Sequence, residues 1–76
     1  MTRLPALKAR EINRALERAG FVLKRIKGSH HIMEHATDPS RRTIVPLHAG
    51  RDIPRGLLHK ILTDAKLTSN EFLGYL

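Results

Sequence analysis

Phe21-Val22-Leu23-Lys24-Arg25-Ile26-Lys27-Gly28-Ser29-His30-His31-Ile32-Met33-Glu34-His35-Ala36 reads as two strands joined by a tight turn. Phe21 to Lys27 is a β-branched and aromatic run, and His30 to Ala36 is the second strand candidate. Gly28-Ser29 punctuates them, because glycine takes up turn geometries that other residues resist. The apolar phase of the first run slips: Phe21 and Leu23 share parity, but Ile26 does not. The face taken by Arg25 is therefore open at this level.

Downstream, Thr37-Asp38-Pro39-Ser40 is a turn on composition, and Pro39 bars a central strand there. Arg41 to Val45 is the third strand, ended by Pro46. Two successive hairpins give an antiparallel three-stranded meander, one face of which helices must cover. Upstream, Ile12, Ala15, Leu16 and Ala19 recur at helical spacing between Ala9 and Ala19, with Arg10, Asn13, Arg14, Glu17 and Arg18 on the other side. Gly20 stands where a left-handed residue ends a helix. After a loop from Leu47 to Ile53, a second helix runs from about Pro54 to Ala65, with Pro54 as a first-turn proline. Its stripe is Leu57, Leu58, Ile61, Leu62 and Ala65. Thr68-Ser69-Asn70-Glu71 has capping-box spacing and predicts a short third helix containing Phe72 and Leu73. The order is α-β-β-β-α plus a terminal turn, an α+β class, in one domain spanning residues 1–76.

The chain's 76 residues carry fourteen Lys+Arg against seven Asp+Glu, a net charge of +7. Nine of the fourteen are arginine, whose planar fork grips phosphate. Such a surplus calls for a polyanionic partner, either nucleic acid or an acidic protein. Lys24, Arg25, Lys27, Arg41 and Arg42 are placed to form a basic stripe along the sheet. With three aromatic residues (Phe21, Phe72 and Tyr75), base stacking on a sheet platform is disfavoured, and recognition through backbone, shape and 2′-hydroxyls is the expectation. Absence of cysteine excludes disulfides and cysteine-based zinc sites. No signal-peptide or membrane-spanning pattern is visible, so a cytoplasmic location is expected.

Chemistry centres on Lys27-Gly28-Ser29-His30-His31. Gly28 lets backbone approach a phosphate closely, Ser29 offers a hydroxyl, and Arg25 and Lys27 bring positive charge. A histidine here takes or gives a proton near neutrality. RNA supplies its own nucleophile, the 2′-hydroxyl, so neither a metal nor a cofactor is needed. His31 and His35 lie four apart, which on a strand is roughly 13 Å and too far for a shared ion. His48, beside Gly50 and Arg51, is a candidate for a phosphate site near the start of the second helix. His35 is assigned to the strand surface and His59 to the polar side of the second helix. Strand alternation puts His30 and His31 on opposite faces, so only one of them reaches substrate. The residues alone do not choose between them.

The series Ala19-Gly20-Phe21, Arg25, Lys27-Gly28-Ser29-His30-His31, Val45-Pro46-Leu47-His48 and Gly56-Leu57-Leu58-His59-Lys60-Ile61-Leu62 resembles the HicA-type (YcfA-like) mRNA interferase toxins. The likeness covers nearly the whole chain in order. It implies a double-stranded-RNA-binding-like fold, with a three-stranded antiparallel sheet and helices on one face. It also implies ribosome-independent cleavage of mRNA, neutralised by a HicB-type antitoxin, with a histidine in a Gly-x-His motif as the catalytic residue. Gly28 and His30 match that motif, and the choice of His30 rests on the resemblance. Lys8 stands where family members often open the first helix with serine or threonine. The expectations are therefore a metal-independent endoribonuclease, monomeric when free, with His30 catalytic and Arg25, Lys27, Gly28 and Ser29 contacting RNA. A non-catalytic double-stranded-RNA-type binding module is the alternative. A third possibility is a basic interaction protein whose partner is acidic protein.

Overall fold

Ala9, Ile12 and Leu16 repeat at the spacing of one helical face, and Ala9–Arg18 forms helix α1 with those residues and Ala15 buried. A computed structural model describes residues 3–48 and 50–76. Lys8 supplies no hydroxyl or carboxylate to cap the helix, but Glu11 reaches back and accepts from the Lys8 backbone N–H at 3.0 Å. At the other end Gly20 has φ +99°, the left-handed region that glycine enters without strain. A Cβ there would lie 2.9 Å from His35 Nε2. Gly20→Ala is therefore expected to destabilise the fold by more than about 1 kcal/mol, measured by urea denaturation.

Strands β1 (Phe21–Lys27), β2 (His30–His35) and β3 (Arg42–Pro46) form an antiparallel meander in that spatial order. The slipped phase of β1 has a physical cause. Pairing runs from Phe21↔His35 to Leu23↔Met33, then shifts so that Arg25 faces Ile32, leaving Lys24 as an extra bulge residue. Past the bulge, Ile26 pairs with His31 and Lys27 with His30. Cross-strand partners share a face. Phe21, Leu23 and Ile26 thus all project to the side covered by helices, while Arg25 and Lys27 project to the open side.

Helix α2 (Arg55–Ala65) packs Leu58, Ile61, Leu62 and Ala65 into the core, with Leu57 half-buried at its margin. Pro54 occupies the cap position, one residue before the first-turn placement expected. Thr43, buried on β3, donates its hydroxyl to the Ile61 carbonyl at 2.9 Å and ties helix to sheet. Leu4 and Leu7 also enter the core, held where Ile53 N–H donates to the Leu7 carbonyl. Helix α3 (Ser69–Leu73) inserts Phe72, which has no exposed surface. None of the described helices is long and apolar enough to cross a membrane.

Two carboxylates are held below their ordinary range. Glu71 accepts from the Thr68 backbone N–H at 2.9 Å, and Thr68's hydroxyl accepts in turn from Glu71 N–H at 3.0 Å. Asp38 accepts from the Ser40 hydroxyl at 2.7 Å and from its backbone N–H at 3.1 Å. Lowered folded values mean that their contribution is complete above the ordinary carboxylate range and is lost as pH falls below it. The thermal midpoint should decline between about pH 5 and pH 1, and Glu71→Gln should flatten that decline.

The observed second strand stops at His35 rather than Ala36, and the third runs one residue later than expected. The latter shift follows from Arg41, whose backbone N–H closes the preceding turn on the Asp38 carbonyl at 3.0 Å. Its Nε donates to the Ala65 carbonyl at 2.9 Å, and its guanidinium stands 5.4 Å from the centre of the Phe21 ring. Arg41 therefore serves as a clamp between sheet and helix and leaves the expected basic stripe.

Candidate functional site

The β1–β2 turn is made by two residues between the Lys27↔His30 pair. Gly28 has φ +61° and Ser29 is not in the left-handed region, the pattern of a type II′ hairpin turn. Nothing lies within 4 Å of where a Gly28 Cβ would project, so its backbone faces open space. Leu47 N–H donates to the Ser29 carbonyl at 2.6 Å, fastening the turn to the end of β3. A short, doubly anchored turn holds its neighbours in fixed directions.

His30 is exposed on the open side of the sheet, in register with Lys27 on β1 and Pro46 on β3. Arg25 lies on the same side, opposite Ile32. Arg25, Lys27, Gly28, Ser29 and His30 are thus all exposed within one hairpin end. Lys24 is engaged elsewhere, 3.5 Å from Glu34, so Arg25, Lys27 and Arg42 constitute the basic group of the open side.

His31 has a different environment. It is half-buried on the helix side, in register with Val45, and its Nδ1 lies 3.0 Å from Asn13 Nδ2 on α1. The amide donates, so that ring nitrogen accepts. Asn13 falls on the polar side of the first helix by its sequence pattern, yet it is 9% exposed. It continues the buried series Ala9, Ile12 and Leu16 at i+3/i+4 spacing, a signal present in the sequence. His35 likewise turns inward instead of lying on the strand surface. Its ring meets Phe21 edge-on at 5.3 Å, and its Nδ1 accepts from Thr37 N–H at 3.2 Å.

A depression of about 310 Å³ adjoins His30, walled by Ile44 and Pro46 of β3 and by Leu57, Lys60, Ile61 and Asp64 of α2. Lys60 and Asp64 form an ion pair at 3.2 Å. Neither was singled out from the sequence as a site residue, for nothing local links them to a histidine thirty positions earlier. His48 lines a separate hollow with Lys8, Arg10, Leu47 and Gly50. His59 is exposed and borders a third, with Arg3 and Arg55.

A meander covered on one side by two helices, with an exposed basic hairpin end, defines an α+β domain of the double-stranded-RNA-binding-like kind. The family described as HicA toxin of bacterial toxin-antitoxin matches residues 9–67. The chain belongs to that family, and its role is that of a toxin with a cognate antitoxin. Among curated proteins none matches the chain.

Proposed function

We propose that this toxin is a metal-independent endoribonuclease that cleaves mRNA in the cytoplasm, with His30 as its general acid/base. The observation that carries the reading is the separation of the two adjacent histidines. His31 is engaged by Asn13 under α1, whereas His30 stands exposed beside Arg25, Lys27 and the open backbone of Gly28. On this reading His30 takes the proton of a 2′-hydroxyl, whose oxygen attacks the adjacent phosphorus; the bond from phosphorus to the 5′-oxygen breaks, and that oxygen leaves as a hydroxyl, the proton held by His30 being returned to it through solvent. Lys27 and Arg25 offset the charge that builds on the phosphoryl oxygens. Gly28 lets the backbone approach that phosphate, and the Ser29 hydroxyl helps hold it. Lys60, on the wall of the adjoining depression, adds positive charge tempered by Asp64. The whole chain acts as one domain, monomeric when free, and a HicB-type antitoxin restrains it.

The test is incubation of purified protein with a mixed mRNA in EDTA, followed by analysis of the new ends. A 2′,3′-cyclic phosphate product is expected, since the 2′-oxygen is the nucleophile. Cleavage that requires a divalent metal and leaves a plain 3′-hydroxyl would overturn the mechanism. Salt-dependent RNA binding without any cleavage would instead support a binding module.

A further inference from the structure

On the helix-covered side of the sheet, three aliphatic side chains remain in solvent, Leu23 and Ile26 on the edge strand β1 and Leu47 just past β3. Leu23 is 47% exposed, Ile26 56% and Leu47 38%. Leu23 and Leu47 line a groove of about 480 Å³ between α1 and the sheet, with Arg10, Arg14 and Glu17 along its rim and Asn13, His31 and Met33 in its wall. Ile26, in register with His31, extends the apolar strip on the same face. Neither Arg10 nor Arg14 forms an ion pair among the described residues.

Asn13 is the second observation. Its Nδ2 bonds His31, but its Oδ1 is buried without a partner. A buried amide oxygen without a donor is destabilising, so this wall has an acceptor to offer. Strand β1 adds to the picture as an edge strand in which only Phe21 is buried. Exposed apolar edges of this length invite another chain.

The charges select the occupant. A second copy would bring its own Arg10 and Arg14 against the same pair, so like charges would oppose. RNA gains little from leucine and isoleucine, and its phosphates are better served on the open side by Arg25, Lys27 and Arg42. An acidic protein segment with apolar side chains satisfies both features. We infer that the groove between α1 and the β1 edge is the docking surface for the cognate antitoxin. Apolar side chains of that partner cover Leu23, Ile26 and Leu47, and its carboxylates meet Arg10 and Arg14. The inference rests on membership of the toxin family and is independent of the role proposed for His30.

The test uses Arg14→Glu and Leu23→Glu, with purified cognate antitoxin as the titrant in calorimetry. Each variant should weaken antitoxin binding by about 10- to 100-fold while retaining the wild-type circular dichroism spectrum and RNA affinity. Arg14 is exposed on a helix, so its variant remains informative if Leu23→Glu fails to fold. Wild-type antitoxin affinity in a folded variant would overturn the inference. So would a parallel loss of RNA affinity, which would assign the groove to RNA. Concentration-dependent dimerisation of the wild type that Leu23→Glu abolishes would assign it to a second copy. Loss of antitoxin binding together with a wild type that never cuts RNA would retain this surface and reject the nuclease.

Discussion

His30→Ala is expected to reduce the rate of RNA cleavage by about 10²- to 10⁴-fold, the range contributed by a positioned general acid or base. That corresponds to roughly 2.7–5.4 kcal/mol of transition-state stabilisation. Stability should scarcely change, because the side chain is exposed and contributes nothing to the core cluster. RNA affinity should also persist, since Arg25, Lys27 and the turn backbone remain. Loss of turnover with retained binding is the signature of a residue that acts on the reacting atoms. The companion variant His31→Ala separates the two histidines by a different route. It removes the partner of Asn13 from a half-buried site, so its main effect should be on the thermal midpoint. If His31→Ala abolishes cleavage in a folded protein while His30→Ala leaves it intact, the assignment is reversed.

The largest effect on stability is expected at Phe72. This side chain has no exposed surface and comes from a helix of only five residues. Truncating a buried phenylalanine costs about 3–5 kcal/mol, counting both lost burial and the cavity left behind. A chain of 76 residues has limited core to spare. Since each kcal/mol shifts the midpoint of a domain this small by about 4–8 °C, Phe72→Ala should lower it by on the order of 20 °C. Helix α3 should lose its hydrogen-exchange protection first, because its capping box by itself cannot hold five residues on the domain. Phe72→Leu keeps most of the volume and should recover more than half of the loss. A Phe72→Ala midpoint within a few degrees of wild type would show that α3 is dispensable to the core.

Both predictions depend on features read at different levels. Phe72 was legible through the Thr68-Ser69-Asn70-Glu71 signature, which announces a helix just where an aromatic residue follows. The capping hydrogen bonds form between residues three apart, so neighbours in sequence suffice to specify them. Two strands around Gly28-Ser29, the inward stripe of α2 and the stop at Gly20 were legible for the same reason. Each depends on periodicity or on the φ of a single residue.

Candidate residues around the turn were legible as a group because they are contiguous. Alternation does not assign Arg25 to a face, since the phase slip between Leu23 and Ile26 marks a break without marking which residue is extra. Lys24 has no composition that marks it as the extra residue; only pairing with β2 makes it one. Arg41 was counted with the stripe because a charged residue flanking a strand is by default solvated. Its actual partners, Phe21 and the Ala65 carbonyl, lie twenty or more positions away.

By itself, then, the sequence determined the order of elements, the two hairpins, the basic character and the residues at the hairpin end. It also carried the series of motifs by which the family is known. Tertiary structure decided which side of each strand the helices cover, and through that the different surroundings of His30 and His31. It brought Lys60 and Asp64 to the wall beside His30, buried Asn13 against His31, and left Leu23, Ile26 and Leu47 in solvent. The physical reason is one of range. Turn geometry, capping and amphipathic phase are short-range and written in neighbouring residues, whereas burial and side-chain partnership exist only once distant segments pack.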